Sequence, residues 1–578
     1  MFNKYYENEL RKLREQAVEF SKAHPVTAPL LSGASMDPGA ERMLEGVAFL
    51  SGLLHQKLDD GLDDFIRETL EIIFPHFVRP IPSTSIVLFE HKPGQSDPIL
   101  VEPGTLLSSN KVDGVSCQFK SLFNLEVNPI RVVATEMNKV REKCTQIKIS
   151  LELVDSNLSN WRPTQGLYFF LGGSYTQATN MFMLLHHYLG RIIIKASDIN
   201  EEFILPSSFL KHTGLDLDNK LIDFPVQSFS AFRLLQEYFI LPQKFTFMSL
   251  TGFHEWRNRG SGNEFSICFE LNDIPEVLSH VNRDTFIFNT TPVINLFNHE
   301  IEPIQLNHKL EKVLLRPSTQ SVNYYQTYDV ESVVGYQPGT LGKKEYFSIS
   351  GFKNLDSNQH VYQLLRGRSI VNNHPEAYLF FPYQTASDNL YEETLSVSLR
   401  CTNGRLPERL KIGDICKSTF SSPEALSFRN ILQPTIAIEP PSDAKNLWQM
   451  VSHLSMNFLS IVNLRNLKEL LRIYLPNEDQ DRPRLMSNQK RIEGIVAISH
   501  TAVDRISRGR IMRGQQIEMS VDVQQFTGLG DVYLFGALMD NFFSSYASMN
   551  IFTQFNLKEV NTGVTFKWAA KIGNRILI

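Results

Sequence analysis

The chain has 578 residues, of which 42% are hydrophobic and 21% charged, with a formal net charge of −5 and five cysteines. A chain of this length suggests roughly three to four domains. The mild acidity argues against a nucleic-acid binder that works through a globally basic surface, and the scattered Cys117, Cys144, Cys268, Cys401 and Cys416 argue against a disulfide scaffold and for a reducing compartment.

The start, Met1-Phe2-Asn3-Lys4-Tyr5-Tyr6, carries no apolar leader core. The most apolar stretches, Met181–Lys195 and Asp531–Phe543, are broken by His, Gly, Arg or Asp and fall short of the ~18–20 apolar residues of a membrane helix. The expectation is a soluble, cytoplasmic protein with no direct membrane insertion. Forty Phe residues imply large packed cores or large surfaces between subunits.

The first element is a helix. Tyr6, Leu10, Leu13, Ala17 and Phe20 follow the spacing of a coiled-coil seam, with charged residues on the other faces. A lone helix of this length is marginal in water, so the seam docks either on its own chain or in a bundle with other chains. Asp37-Pro38 opens a second helix with a cap and a first-turn proline, striped by Leu44, Val47, Leu50, Leu54 and Leu58. A third is expected from Leu62 to Phe74, with Asp59, Asp60, Asp63, Asp64, Glu68 and Glu71 as a solvated helix start or a surface for a basic partner. The prolines of Pro75–Pro82 stop it.

From Ser83 the period changes to two. Ile86 and Leu88, then Ile147 to Leu153, then Phe265 to Leu271 alternate as strands, with helices expected over Thr176–Leu189 and Ser230–Ile240 and a strand around Lys244–Leu250. Residues from Val293 to Pro440 hold short strands and turn signals. After Pro440-Pro441 come helices over Asn446–Leu459 and Leu464–Tyr474, a charged loop from Pro476 to Pro483, strands at Ile495–Val503 and Gln516–Val523, a helix over Asp531–Ala547, and a hairpin-like pair, Ile551–Val560 with Val564–Trp568. The reading is α+β and multidomain: an N-terminal helical, bundle-forming segment (1–80), a mixed α+β domain (81–292), a β-rich module (293–440) and a small C-terminal α/β domain (441–578).

Chemistry-bearing motifs are absent. His299-Glu300 lacks the second histidine of a zinc-protease helix, and proline follows at 303. His186-His187 point about 100° apart on a helix and cannot share one metal well. Gly339 to Lys344 lacks the phosphate-loop spacing, and Gly528-Leu529-Gly530 lacks the third glycine of a dinucleotide turn. Arg505, Arg508, Arg510 and Arg513 form the one dense basic run, read as a solvated turn, a contact for an acidic partner or a weak nucleic-acid contact without aromatic platforms. No catalytic, metal or cofactor-binding residue is assigned.

Blocks along the whole chain are similar to one family. They run from Tyr5-Tyr6-Glu7-Asn8-Glu9-Leu10-Arg11-Lys12-Leu13-Arg14 and Glu41 to Leu50, through Phe74-Pro75-His76-Phe77-Val78-Arg79-Pro80-Ile81-Pro82-Ser83, Phe232 to Phe239 and Asn289 to Phe297, to Leu399 to Asn403, Leu467 to Leu471 and Tyr546 to Gln554. This pattern resembles the TssF (ImpG, VasA) family of type VI secretion baseplate subunits. The resemblance implies a phage-tail-like wedge protein without cofactor or catalysis. Two copies would pair with one TssG and associate with TssK, TssE and neighbouring wedges around a VgrG hub, seeding the contractile sheath in a baseplate docked at the inner-membrane complex. The heptad spacing of Tyr6, Leu10, Leu13, Ala17 and Phe20 gives that seam a role in an inter-chain bundle, whereas the C-terminal aromatics, including Phe542, Tyr546 and Phe552, are read mainly as core packing and for the rest as contacts between copies or wedges. The alternative is a soluble cytoplasmic enzyme with an unrecognised site, which a large polar pocket with convergent ionisable groups would support.

Overall fold

The computed structural model describes residues 2–23, 38–141, 144–216, 218–224, 230–272, 281–307, 312–317, 324–337, 342–349, 360–369, 375–382, 392–440, 444–454, 461–475, 481–507, 510–547 and 551–573. Their longer helices are α1 (Phe2–Ala23), α2 (Pro38–Ile73), α3 (Tyr175–His187), α4 (Ser230–Ile240), α5 (Ala444–Leu454), α6 (Leu464–Ile473), α7 (Arg482–Glu493) and α8 (Leu529–Tyr546). The fold is mixed α+β. The chain divides into two compact units, Met1–Val78 with Pro441–Ser452, and Arg79–Pro440 with His453–Ile578.

The first unit is built on the pair α1 and α2. Tyr6 lies beside Gly52 and Arg14 bonds Glu41 at 3.0 Å, so the two helices run antiparallel. The pairing is close because α2 turns small residues, Ala48 and Gly52, toward α1; a Cβ on Gly52 would sit 3.2 Å from the Tyr6 backbone nitrogen. Helix α2 corrects the expectation of two helices meeting near residue 60. Its only interruptions are single glycines, each costing about 1 kcal/mol in a helix, and no proline intervenes before Pro75. The acidic cluster from Asp59 therefore begins in mid-helix, not at a helix start.

The second unit is a set of mostly antiparallel sheets. One has six strands in the order Ile415–Ser418, Leu106–Val112, Val115–Ser121, Thr290–Ile294, Thr84–His91 and Leu426–Asn430. Its core includes Val87, Phe89, Leu107 and Phe119. The sequence boundary at 292/293 falls inside one of its strands, and strands from both sides of that boundary share the sheet. An eight-stranded sheet centred on Glu393–Thr402 and Gln326–Tyr336 holds the Val397, Leu399 and Leu379 core. Asn295 and Asn403 join the two sheets with reciprocal bonds of 2.8 and 2.7 Å, and Asn295 also donates to the Gln118 carbonyl. Ile81 and Ile438 bridge the two ends of the 79–440 segment.

Helix α8 is buried on nearly every face and packs on α3, α4 and the strand Phe552–Glu559. The C-terminal residues after Ser452 thus fall in the same compact unit as the mixed region. Gly530 allows α8 to meet α3, since a Cβ there would lie 2.4 Å from the Asn180 backbone nitrogen. Gly530 serves this packing, whereas a Cβ at Gly528 would come no nearer than 3.6 Å, to Thr176. Helix α7 is a second correction: Asp481 caps it and Pro483 sits in its first turn, where a missing N–H costs nothing. Around Lys244 the structure has a 3-10 turn, Pro242–Thr246, ahead of the strand Phe247–Leu250. Residues 37, 339–341, 455–460, 476–480 and 508–509, on which parts of the sequence expectations fell, lie outside the described residues.

Candidate assembly surfaces

On α2, Met43, Val47, Leu50 and Leu54 recur at spacings of four and three, so they stack on one side of the helix. That side faces outward: Met43 is 75% exposed, Leu50 62% and Leu54 63%, with Phe49 and Leu53 exposed beside them. Ala48 and Gly52, on the side facing α1, are buried. Soluble monomers rarely expose contiguous apolar patches larger than a few hundred Å². The helix pair therefore presents an apolar stripe outward while sealing a narrow small-residue seam inward.

The seam of α1 is divided. Ala17 is buried, and Tyr6, Leu10 and Leu13 are half-buried on the helix that packs along α2. Leu10 also lines an open groove with Glu7, Arg11, Arg14, Glu15 and Val18. Phe20 is exposed, as is Val18. Own-chain packing thus covers part of this seam, while Phe20 at its C-terminal end is about half exposed.

Phe542, Tyr546 and Phe552 lie inside the second unit, at most 8% exposed. Phe542 and Tyr546 stack edge-on with each other and against Phe232. Phe552 fills the space over Gly514, where a Cβ would lie 2.4 Å from its ring. Side chains with so little surface have almost nothing to offer a partner.

Several ionisable groups of this unit are buried and hold elements together. Asp531 on α8 accepts from Tyr175 of α3 at 2.9 Å and from Arg491 of α7 at 3.0 Å. The Arg491 guanidinium lies over the Tyr175 and Tyr238 rings and donates to Asn488. Glu237 and Lys244, both with fully buried side chains, form a close pair, and Glu237 also accepts from the Leu221 amide. Asp329 meets Arg79 at 2.9 Å and Arg400 at 2.7 Å. Burial works to raise the Asp329 carboxyl, but the two arginines overcome it and hold it below the usual carboxylate value. His186 ends α3 stacked on Phe182 and bonded to the Tyr533 hydroxyl, with His212 edge-on at 3.8 Å between ring centroids. His299 lies in the strand Phe297–Glu300 and reaches the Pro317 carbonyl.

Among the described residues, no group of three or more His, Cys, Asp or Glu side chains has the geometry to hold a metal ion. The five cysteines are free thiols. No described helix is long and apolar enough to cross a membrane.

The model of the family described as type VI secretion system, TssF, matches residues 1–575. The chain is 26% identical to the type VI secretion system component TssF1 of Pseudomonas aeruginosa, over 99% of this chain and 98% of that one. It superposes with a TM-score of 0.79 and 26% identity on a chain of a type VI secretion system TssK-TssF-TssG baseplate subcomplex solved by cryo-electron microscopy, covering 92% of this chain and 98% of that one. A chain of the type VI secretion baseplate complex shares the fold at a TM-score of 0.60 and 21% identity, with both chains fully covered. With the family pattern running from the first residue of α1's segment to the last strand, the chain belongs to the TssF family of the type VI secretion system.

Proposed function

We propose that this chain is a structural, non-catalytic subunit of a type VI secretion baseplate wedge, and that the outward stripe of α2 is where it joins other chains. The stripe carries this reading. Covering Met43, Val47, Leu50 and Leu54 would contribute about 1.5–3 kcal/mol for each side chain, before the cost of association is subtracted. Leaving them in water contributes nothing to the fold of the isolated chain. A helical bundle made with TssG and a second copy of this chain would bury this stripe together with Val18 and Phe20. TssK, TssE, the VgrG hub and neighbouring wedges complete the proposed assembly, which seeds the sheath and tube in the cytoplasm beside the inner-membrane complex.

Two copies per TssG would meet different surroundings, so the proposal also needs a hinge. The chain passes between its two compact units at Val78/Arg79 and at Pro440/Pro441, inside or beside the proline-rich stretches Pro75–Pro82 and Pro440–Asp443. The third crossing lies within α5.

The test is co-purification. Leu50→Asp with Leu54→Asp is expected to abolish recovery of a complex with TssG and TssK while leaving the unfolding midpoint of the isolated chain unchanged. A complex that survives both changes would overturn the bundle. Leu10 and Leu13 are poorer probes, because their half-buried side chains also serve the α1–α2 packing.

A further inference from the structure

The strands Ile495–Ser507 and Arg510–Val521 form a long antiparallel hairpin in the C-terminal sheet. The next strand, Phe552–Glu559, pairs with the second of these only from Gly514 onward. The last four rungs, from Asp504 opposite Arg513 to Ser507 opposite Arg510, therefore extend past the sheet as an arm. Three features of the arm point the same way.

The first is its edge. Ile495–Ser507 is the terminal strand of its sheet, so one row of its backbone N–H and C=O groups faces no other strand among the described residues. Proteins usually protect so long an edge with proline, lysine or bulges. This strand has no proline and no lysine, and its one register shift, between Ile495 and Ala497, is at the root. The second is its apolar tip. Ile506 and Ile511 face each other across the hairpin and are 80% and 74% exposed. They continue the side of the sheet that buries Ile517 and Met519. The third is charge. Residues 505–513 contain four arginines and no acid in a chain of net charge −5. Arg505 is held in place over the Phe552 ring, donating to Gln554 at 2.6 Å, and Arg513 is exposed.

We propose that this arm is a strand-addition site for an extended acidic segment of a different protein chain. Backbone groups of the added strand would complete the edge, its apolar side chains would cover Ile506 and Ile511, and its carboxylates would meet Arg505 and Arg513. A second copy of this chain fits less well, since pairing two such arms brings together two segments that each carry four arginines and no acid over residues 505–513, a like-charge juxtaposition that opposes association. An anionic lipid surface would attract the arginines but would leave the strand edge unsatisfied.

The full-length chain is titrated into a labelled peptide of alternating Glu and Val, with a Lys-Val peptide and phosphatidylserine vesicles as the other arms. The Glu-Val peptide is expected to bind, more weakly as salt is raised, and to slow hydrogen exchange at the amides of residues 497–506. Ile506→Asp with Arg513→Glu is expected to weaken binding by roughly tenfold or more, with the unfolding midpoint unchanged because both side chains are exposed. Equal binding of the Lys-Val peptide, unprotected edge amides or undiminished binding by the variant would overturn the proposal. So would tighter binding to the vesicles, or self-association of the free chain that the same variant abolishes. No baseplate partner enters this titration, so its failure leaves the α2 reading untouched.

Discussion

The helical unit carries Leu50 and Leu54 on its outside, whereas the larger unit carries Asp531, Arg491, Glu237 and Lys244 on its inside. Apolar surface left in water is a driving force held in reserve for association. Charge taken out of water is the reverse: once buried it tolerates no loss of its partner. The difference separates a region with apolar surface exposed, as the proposed assembly requires, from one whose buried pairs are intolerant of change. Substitutions that touch the two kinds of group should fail in different ways.

The largest effect is expected at Asp531. Asp531→Ala leaves Arg491 buried without its carboxylate and strips acceptors from Tyr175, and breaking a buried pair in this way costs about 3–5 kcal/mol. Chemical denaturation should show the main unfolding transition shifted by that amount. Arg491→Met together with Asp531→Leu should recover much of it, because the cost lies in the orphaned charge. A single variant as stable as the parent would remove the contrast between the two units.

The buried histidines sharpen the same contrast through pH. Burial holds His186 down from 6.5 to about 4, with the neighbouring His187 and Lys571 adding to the effect. Burial and the adjacent His186 also hold His212 well below 6.5. Between about 4 and 6.5 the unfolded chain takes up protons that the folded chain refuses. The stability from keeping them neutral is complete above 6.5 and is lost as pH falls toward 4. His186 alone accounts for about 3 kcal/mol over that interval. A denaturation series across it should slope steeply, and His186→Gln should flatten the slope by roughly one proton. A pH-independent midpoint would mean that the cluster opens to water.

How far the sequence disclosed these features depended on the range of the interaction. Helix α4 was legible to the residue from its local period, and α1 and the stripe of α2 from theirs. Gly61 among acids looked like a break, yet an uninterrupted run of helical hydrogen bonds outweighs one glycine. Helix α7 was missed although Asp481 and Pro483 are a start signal, because the charges around them read as loop. The Asn295–Asn403 clasp and the six-stranded sheet, which draws on residues 84 to 430, leave no local trace. Composition also failed to separate core from interface. Phe542, Tyr546 and Phe552 are aromatic and clustered, as interface anchors are, but α8 is wrapped on all sides by its own chain. Period shows which residues of α1 and α2 form a stripe; only the fold shows which stripe is left uncovered.

Gly52 gives the smallest expected effect and the finest test. It faces Tyr6 so closely that a Cβ meets backbone at 3.2 and 3.3 Å, and backbone cannot rotate away as a side chain can. Gly52→Leu should force α1 off α2. The cost in this unit is partly offset, because leucine is the better helix former by nearly 1 kcal/mol. The net change is therefore expected at about 1–2 kcal/mol, near the lower end for overpacking a tight contact. It should appear as faster hydrogen exchange in α1, with the main transition of the larger unit unmoved. Gly52→Ala, needing a shift of only a few tenths of an ångström, should be nearly neutral. If Gly52→Leu leaves exchange in α1 unchanged, α1 is not held by this seam, and the outward stripe of α2 would no longer be set apart from its α1-facing side.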